Sequence, residues 1–156
     1  MKNIGLIFIL ALFSFTNVDN NVNSEEVFWT TDLETALLKS KKEHKIVMLY
    51  FSGSDWCKPC IIWKREVFDT NEFHQFANKH IIPVKLDFPR LKKNKLSKEQ
   101  TTKNEELAGK YNNGGVFPFI VFVDSNGEVL GKTGYLQGGT DAFLTYSNQL
   151  INKSKK

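Results

Sequence analysis

Cysteine is scarce in this chain. Two of its 156 residues carry thiols, Cys57 and Cys60, and they stand three positions apart. A bridge between them would be a poor staple, because closing a ring of about 4 residues removes only about 2 kcal/mol of chain entropy. With 41% hydrophobic residues and 13 phenylalanines, the chain can bury a core without one. Histidine is nearly as rare. His44, His74 and His80 are scattered along segments that read as surface, so the cysteines lack the two further ligands that a zinc site needs.

Long hydrophobic runs are also missing. A membrane span needs about 20 apolar residues, and the apolar run from Ile4 to Phe15 has 12. With Lys2 ahead of it, that run fits the h-region of a signal peptide. No A-x-A motif marks the cleavage site, and processing before Glu25 is the expectation. An uncleaved anchor is the alternative. No cysteine follows the run, which argues against a lipid-modified N-terminus. Residues 1–24 are therefore expected to be removed. Residues 25–156 are expected to form one domain outside the cytoplasm, periplasmic or otherwise extracytoplasmic, where disulfides persist.

A large excess of one charge is lacking too, the net value being +4. Arg90, Lys92, Lys93, Lys95, Lys98 and Lys103 crowd one stretch in which Glu99 is the only acid. No aromatic residue interleaves with them and no nucleic-acid motif accompanies them. The stretch reads as a solvated basic loop inserted at about 88–103, and nucleic acid is not an expected partner.

What is present alternates between helix and strand patterns. Thr31 to Glu34 matches a capping box, followed by a helical face of Leu33, Ala36, Leu37 and Ser40. The continuous apolar run Ile46–Phe51, "IVMLYF", reads as a central strand buried on both faces. Helical pieces follow at 61–68 and 71–79, then a strand at 81–87. A short helix is expected at 104–111, a strand at 118–124, an Asn-Gly turn at 125–127, a hairpin partner at 128–135 and a closing helix at 140–153. "VFW" at 27–29 suggests a further edge strand. The order predicts a mixed sheet of four to five strands flanked by helices, an α/β fold.

The two cysteines fall in "SDWCKPC" (54–60), where the central strand gives way to a helix. A helix N-terminus carries about half a positive charge and unpaired N–H groups, both of which favour a thiolate on Cys57. Lys58 adds a full charge. Pro59 sits in the first helical turn, where its missing N–H costs least, and keeps Cys60 near Cys57. Such a pair suits thiol–disulfide exchange. Cys57 attacks a partner disulfide and Cys60 resolves the mixed disulfide, while Trp56 offers an apolar surface to the partner. On position alone, Cys57 is expected to be the exposed cysteine and Cys60 the buried one. A half zinc site, a copper carrier and a purely structural bridge are the competing readings of the same residues.

A second feature lies far along the chain. In "GGVFPFIVFVD", Pro118 stands at the start of a strand. With "WCKPC" after an apolar strand and the "SNGEV" hairpin before a closing helix, the chain from about 27 to 152 resembles the thioredoxin superfamily. "FSGSDWCKPC" and the basic insertion resemble its exported members most. The resemblance implies a thioredoxin-like fold and a cis Phe117–Pro118 bond beside the cysteines, with the Phe117 backbone pairing with an extended substrate. It also implies that Lys85 matches the family's strand lysine and tunes the pair. Tyr50 falls where the family carries a buried Asp, which leaves the proton acceptor for Cys60 open. Asp55 is a candidate by adjacency. The expected function is a thiol–disulfide oxidoreductase, a reductase by the nearness of Lys58-Pro59 to the family's Gly-Pro dipeptide. It acts as a monomer on protein or small-molecule disulfides and takes electrons from a membrane donor. No metal and no cofactor beyond the redox-active Cys57–Cys60 disulfide is expected. A redox-inert binding module or copper carrier on the same fold is the alternative.

Overall fold

The computed structural model describes residues 25–154. The expected signal segment, 1–24, lies outside the described residues. Four strands form one sheet in the order β2-β1-β3-β4. They are β1 (Ile46–Ser52), β2 (Ile81–Asp87), β3 (Phe119–Val123) and β4 (Val129–Thr133). β1 runs parallel to β2 and antiparallel to β3, and β3 runs antiparallel to β4. "VFW" adds no strand. Its neighbour Thr30 makes a single parallel bridge to Val84, while Val27 is buried in the core and donates its backbone N–H to Nδ1 of His74 at 3.2 Å. His74 is thus an interior residue and not the surface histidine expected.

Every residue of β1 is buried, as its unbroken apolar run requires. Alternation along the strand divides the core in two. Ile46, Met48 and Tyr50 face an aromatic cluster that includes Trp63, Phe68, Phe73 and Phe143. Val47, Leu49 and Phe51 face a mostly aliphatic cluster with Val84, Leu86, Ala36 and Tyr111. The first face is covered by α2 (Lys58–Trp63), the π-helical turn Lys64–Phe68, α3 (Asn71–His80) and α5 (Gly139–Ser154). The second is covered by α1 (Leu33–Glu43) and α4 (Lys98–Tyr111).

Two boundaries differ from expectation. α1 is capped by Asp32, whose carboxylate accepts the Thr35 N–H at 2.7 Å. α4 begins at Lys98 and not at Asn104. The Ser97 hydroxyl accepts the Gln100 N–H at 3.1 Å, and the amide of Asn104, 1% exposed, donates to the Asp87 carbonyl at 2.8 Å. One cap and one buried amide hold a helix that shows little apolar periodicity. The basic stretch is therefore half loop, with a short 3-10 turn at Lys92–Asn94, and half helix.

Candidate active site

β1 ends at Ser52, and the next five residues turn the chain into α2. Gly53 lies under the indole of Trp56, and a Cβ there would run into the ring. The Gly53 carbonyl accepts the Cys57 N–H at 2.9 Å, which closes the turn. Cys57 is the N-cap of α2, with extended backbone, and its sulfur accepts the Cys60 N–H at 3.2 Å. Pro59 falls within the first helical turn, where no intrahelical N–H is missed. Cys57 and Cys60 form a disulfide across a Cα–Cα distance of 5.2 Å. Both cysteines are buried, at 4% and 1% exposure, so the expectation of an exposed Cys57 does not hold for this oxidised form. The sulfur is turned back onto the helix by its bond to Cys60 and by the capping hydrogen bond. Lys58 and Pro59 are the exposed members of the turn.

The Trp56 flank is a small polar and aromatic assembly. The indole N–H donates to the Phe88 carbonyl at 2.7 Å. The ring meets Phe117 edge-on at 5.4 Å, and Phe117 meets Phe88 at 5.3 Å. The Arg90 guanidinium lies 3.7 Å above the indole. The Phe117–Pro118 bond is cis, and the aromatic contact sets it beside the cysteine turn. Asp55 accepts the backbone N–H groups of Arg90 at 2.9 Å and Leu91 at 3.0 Å, and the Asn94 amide at 3.0 Å. These bonds, the Arg90 N–H foremost, hold its carboxyl below the usual carboxylate range. Asp55 is a clamp on the following loop.

The Cys60 flank opens on a cavity of about 310 Å³ lined by Cys60, Tyr50, Ile61, Phe68, Lys64 and Lys85, among others. Tyr50 and Lys85 are register partners on neighbouring strands. The phenol donates to the Cys60 carbonyl at 3.2 Å. Burial pushes its pKa up to about 12, so it is neutral at physiological pH. Lys85 sits 3.6 Å from Asp87, and Asp87 in turn accepts the Ser54 N–H at 3.0 Å and hydroxyl at 2.6 Å. Asp87 thus fastens the cysteine turn to the end of β2. Nothing in the sequence distinguishes it from any strand-terminal acid, apart from the Ser-Gly-Ser turn that needs an anchor. Among the described residues, no group of three or more His, Cys, Asp and Glu is placed to hold a metal ion.

The chain matches the Thioredoxin-like domain family over residues 33–148, most of its length. It belongs to the thioredoxin-like domain family. Among curated members it is 41% identical over 110 residues to the disulfide bond reductase DsbH of Chlamydia pneumoniae, covering 70% of this chain and 64% of that protein. It is 32% identical over 68 residues to the thioredoxin-related protein DsbJ of the same organism, covering 44% of this chain and 20% of that one. The chain thus spans less than two thirds of the length of these relatives. A solved structure of a DsbH oxidoreductase superposes with a TM-score of 0.77 at 34% identity, covering 85% of this chain and 89% of that one. A thioredoxin from Thermus thermophilus, at 20% identity and a TM-score of 0.63, shares the thioredoxin-like fold.

Proposed function

We propose that this protein is a thiol–disulfide oxidoreductase that works as a reductase. The observation that carries the reading is the Cys57–Cys60 disulfide at the start of α2, with the Cys60 N–H directed at the Cys57 sulfur. In the reduced form that N–H, the helix start and Lys58 together favour a thiolate on Cys57. The thiolate attacks one sulfur of a substrate disulfide and displaces the other as a thiolate, giving a mixed disulfide. The Cys60 thiol loses its proton and attacks the Cys57 sulfur, displacing the second substrate thiolate and leaving the protein disulfide. Two electrons pass to the substrate.

Trp56, Phe117 and Pro118 form the substrate-facing side, with the Phe117 backbone as the edge against which an extended substrate pairs. Lys85, on the cavity beside Cys60, tunes the pair from within. Tyr50 takes no proton, since its phenol already holds one. It steadies the Cys60 backbone instead. DsbH, by its name a disulfide bond reductase, supports the direction of electron flow. The chain works after export, with residues 25–156 as one domain, on protein or small-molecule disulfides. It is recharged by a membrane electron donor, in keeping with the apolar run at 4–15.

The test is insulin reduction with dithiothreitol as electron source. Wild type accelerates the reaction, Cys57→Ser abolishes the acceleration, and Cys60→Ser accumulates a mixed disulfide visible on a non-reducing gel. Wild type no faster than Cys57→Ser would reject the reading in favour of a binding module.

A further inference from the structure

The basic stretch reads from sequence as a solvated loop, but its backbone is fastened to the reactive turn. Asp55 and Trp56, the two residues before Cys57, make four hydrogen bonds to it: three from Arg90, Leu91 and Asn94 to the Asp55 carboxylate, and one from the Trp56 indole to Phe88. The Phe88 N–H also donates to the Ser52 carbonyl at 2.8 Å, where β1 ends. The segment that carries these charges is therefore anchored to the turn that leads into Cys57.

Those charges are uncompensated. Arg90, Lys92, Lys93, Lys95 and Lys98 are exposed, and among the described residues none of them forms an ion pair. Three nearby acids are engaged elsewhere. Asp55 faces backbone N–H groups, Asp87 holds Ser54 and Lys85, and Glu99 pairs with Lys103 at 3.2 Å. Exposed Glu105 and Glu106, which share surface with Lys95 and Lys98, form no ion pair with them and leave the segment net positive. Exposed Lys58 adds one more positive charge on the turn.

We propose, resting on the oxidoreductase reading, that the segment 88–98 is a recognition surface for acidic polypeptides, and that this protein prefers disulfides flanked by Asp and Glu. A positive field beside the reactive turn steers anionic partners toward it, and it weakens with salt because the screening length is only roughly 8 Å at physiological ionic strength. Two other anionic partners fit less well. The Trp56 indole has Arg90 over one face and the Gly53 backbone packed against the ring, so it offers no free platform on which a nucleic-acid base could stack. Leu91 is the one large apolar side chain exposed on the segment, too little for insertion into a lipid surface.

The experiment measures second-order rates of the reduced protein with three disulfide peptides of equal length, flanked by acidic, neutral or basic residues. The rates are taken at low and at high salt, with neutral 2,2′-dithiodipyridine as the charge-blind control. The acidic peptide should react about tenfold faster than the basic one at low salt, with the gap closing at high salt. The variant Lys92→Gln/Lys93→Gln/Lys95→Gln should lose the preference while its dithiodipyridine rate and thermal midpoint stay unchanged. Equal peptide rates alongside normal dithiodipyridine reduction overturn this proposal and leave the oxidoreductase reading intact. A preference that survives the triple substitution overturns it as well. Failure of wild type with dithiodipyridine overturns both. Tighter binding to anionic phospholipid vesicles or to a single-stranded oligonucleotide than to the acidic peptide would reassign the surface and reject the proposal.

Discussion

On the Trp56 side of the cysteine pair, contacts run outward. An indole N–H, a carboxylate and a guanidinium tie the turn to an exposed loop. On the Cys60 side they run inward, to Tyr50 and to Phe68, which lies among the rings of Trp29, Tyr50, Trp63, Phe73 and Phe143 at 4.8–5.6 Å. The outer flank is tied to its loop by hydrogen bonds that compete with water, each of modest net strength, beside the smaller Trp56–Phe117–Phe88 ring group. The inner flank is held by buried aromatic area, which water does not contest. In the proposed reading, a site that docks a substrate while keeping two sulfurs in register gains from this division. The exposed face can adjust, and the face that fixes the sulfurs cannot.

The largest expected effect tests that contrast directly. Phe68→Ala on the inner flank should cost about 3–5 kcal/mol, the range for emptying a buried aromatic site. Leu91→Ala on the outer flank should stay within about 0.5 kcal/mol, as exposed substitutions do. Urea denaturation of both variants gives the comparison, and similar losses would show that the two flanks are equally built into the core.

Next in size is an alkaline effect confined to the inner flank. The Tyr50 phenol titrates at about 12 in the folded protein because burial disfavours its charged form, against about 10 unfolded. Its contribution is full below pH 10 and is lost as pH rises through 12. Up to about 2–3 kcal/mol is involved over that window. Tyr50→Phe should flatten this part of the stability profile, at a neutral-pH cost of about 1 kcal/mol for the lost hydrogen bond to Cys60. An unchanged slope between pH 10 and 12 would show that another group is responsible.

The smallest effect belongs to the outer flank and to acid. The Asp55 carboxyl titrates below its ordinary value. Its hold on the loop is therefore complete above the usual carboxylate range and is lost as pH falls through the lowered value. The Arg90 and Leu91 amide proton shifts should move in that acid window while core amides do not. Asp55→Asn should remove the pH dependence. Amides of the aromatic cluster moving in step would mean that the flanks are not separable.

Most of the fold was legible because its signals are local. The unbroken run at 46–51, rich in strand formers and only six residues long, reads as a strand buried on both faces, and the cysteine turn and Pro118 carried their own punctuation. What escaped depended on contacts distant in sequence. The first turns of α4 rest on the Ser97 cap and on Asn104 reaching Asp87, and a run of Lys, Thr and Gln announces neither. Asp87 became visible only once Ser54 was placed 33 residues away in sequence and at hydrogen-bond distance. Asp55 was noticed for its closeness to Cys57 in the chain, yet its carboxylate turns the other way, to residues 90–94. Covalent adjacency says where a side chain begins and little about where it ends.

β1 is paired on both edges and covered on both faces. Its amides should be among the last in the molecule to exchange with solvent, opening only when the whole fold opens, while those of the 88–97 loop exchange through local excursions. The cysteine turn begins at the last residue of this slowest strand. The domain can therefore loosen its rim many times between global openings, each time returning to sulfurs that have kept their place. The motion of the rim and the lifetime of the fold run on separate clocks.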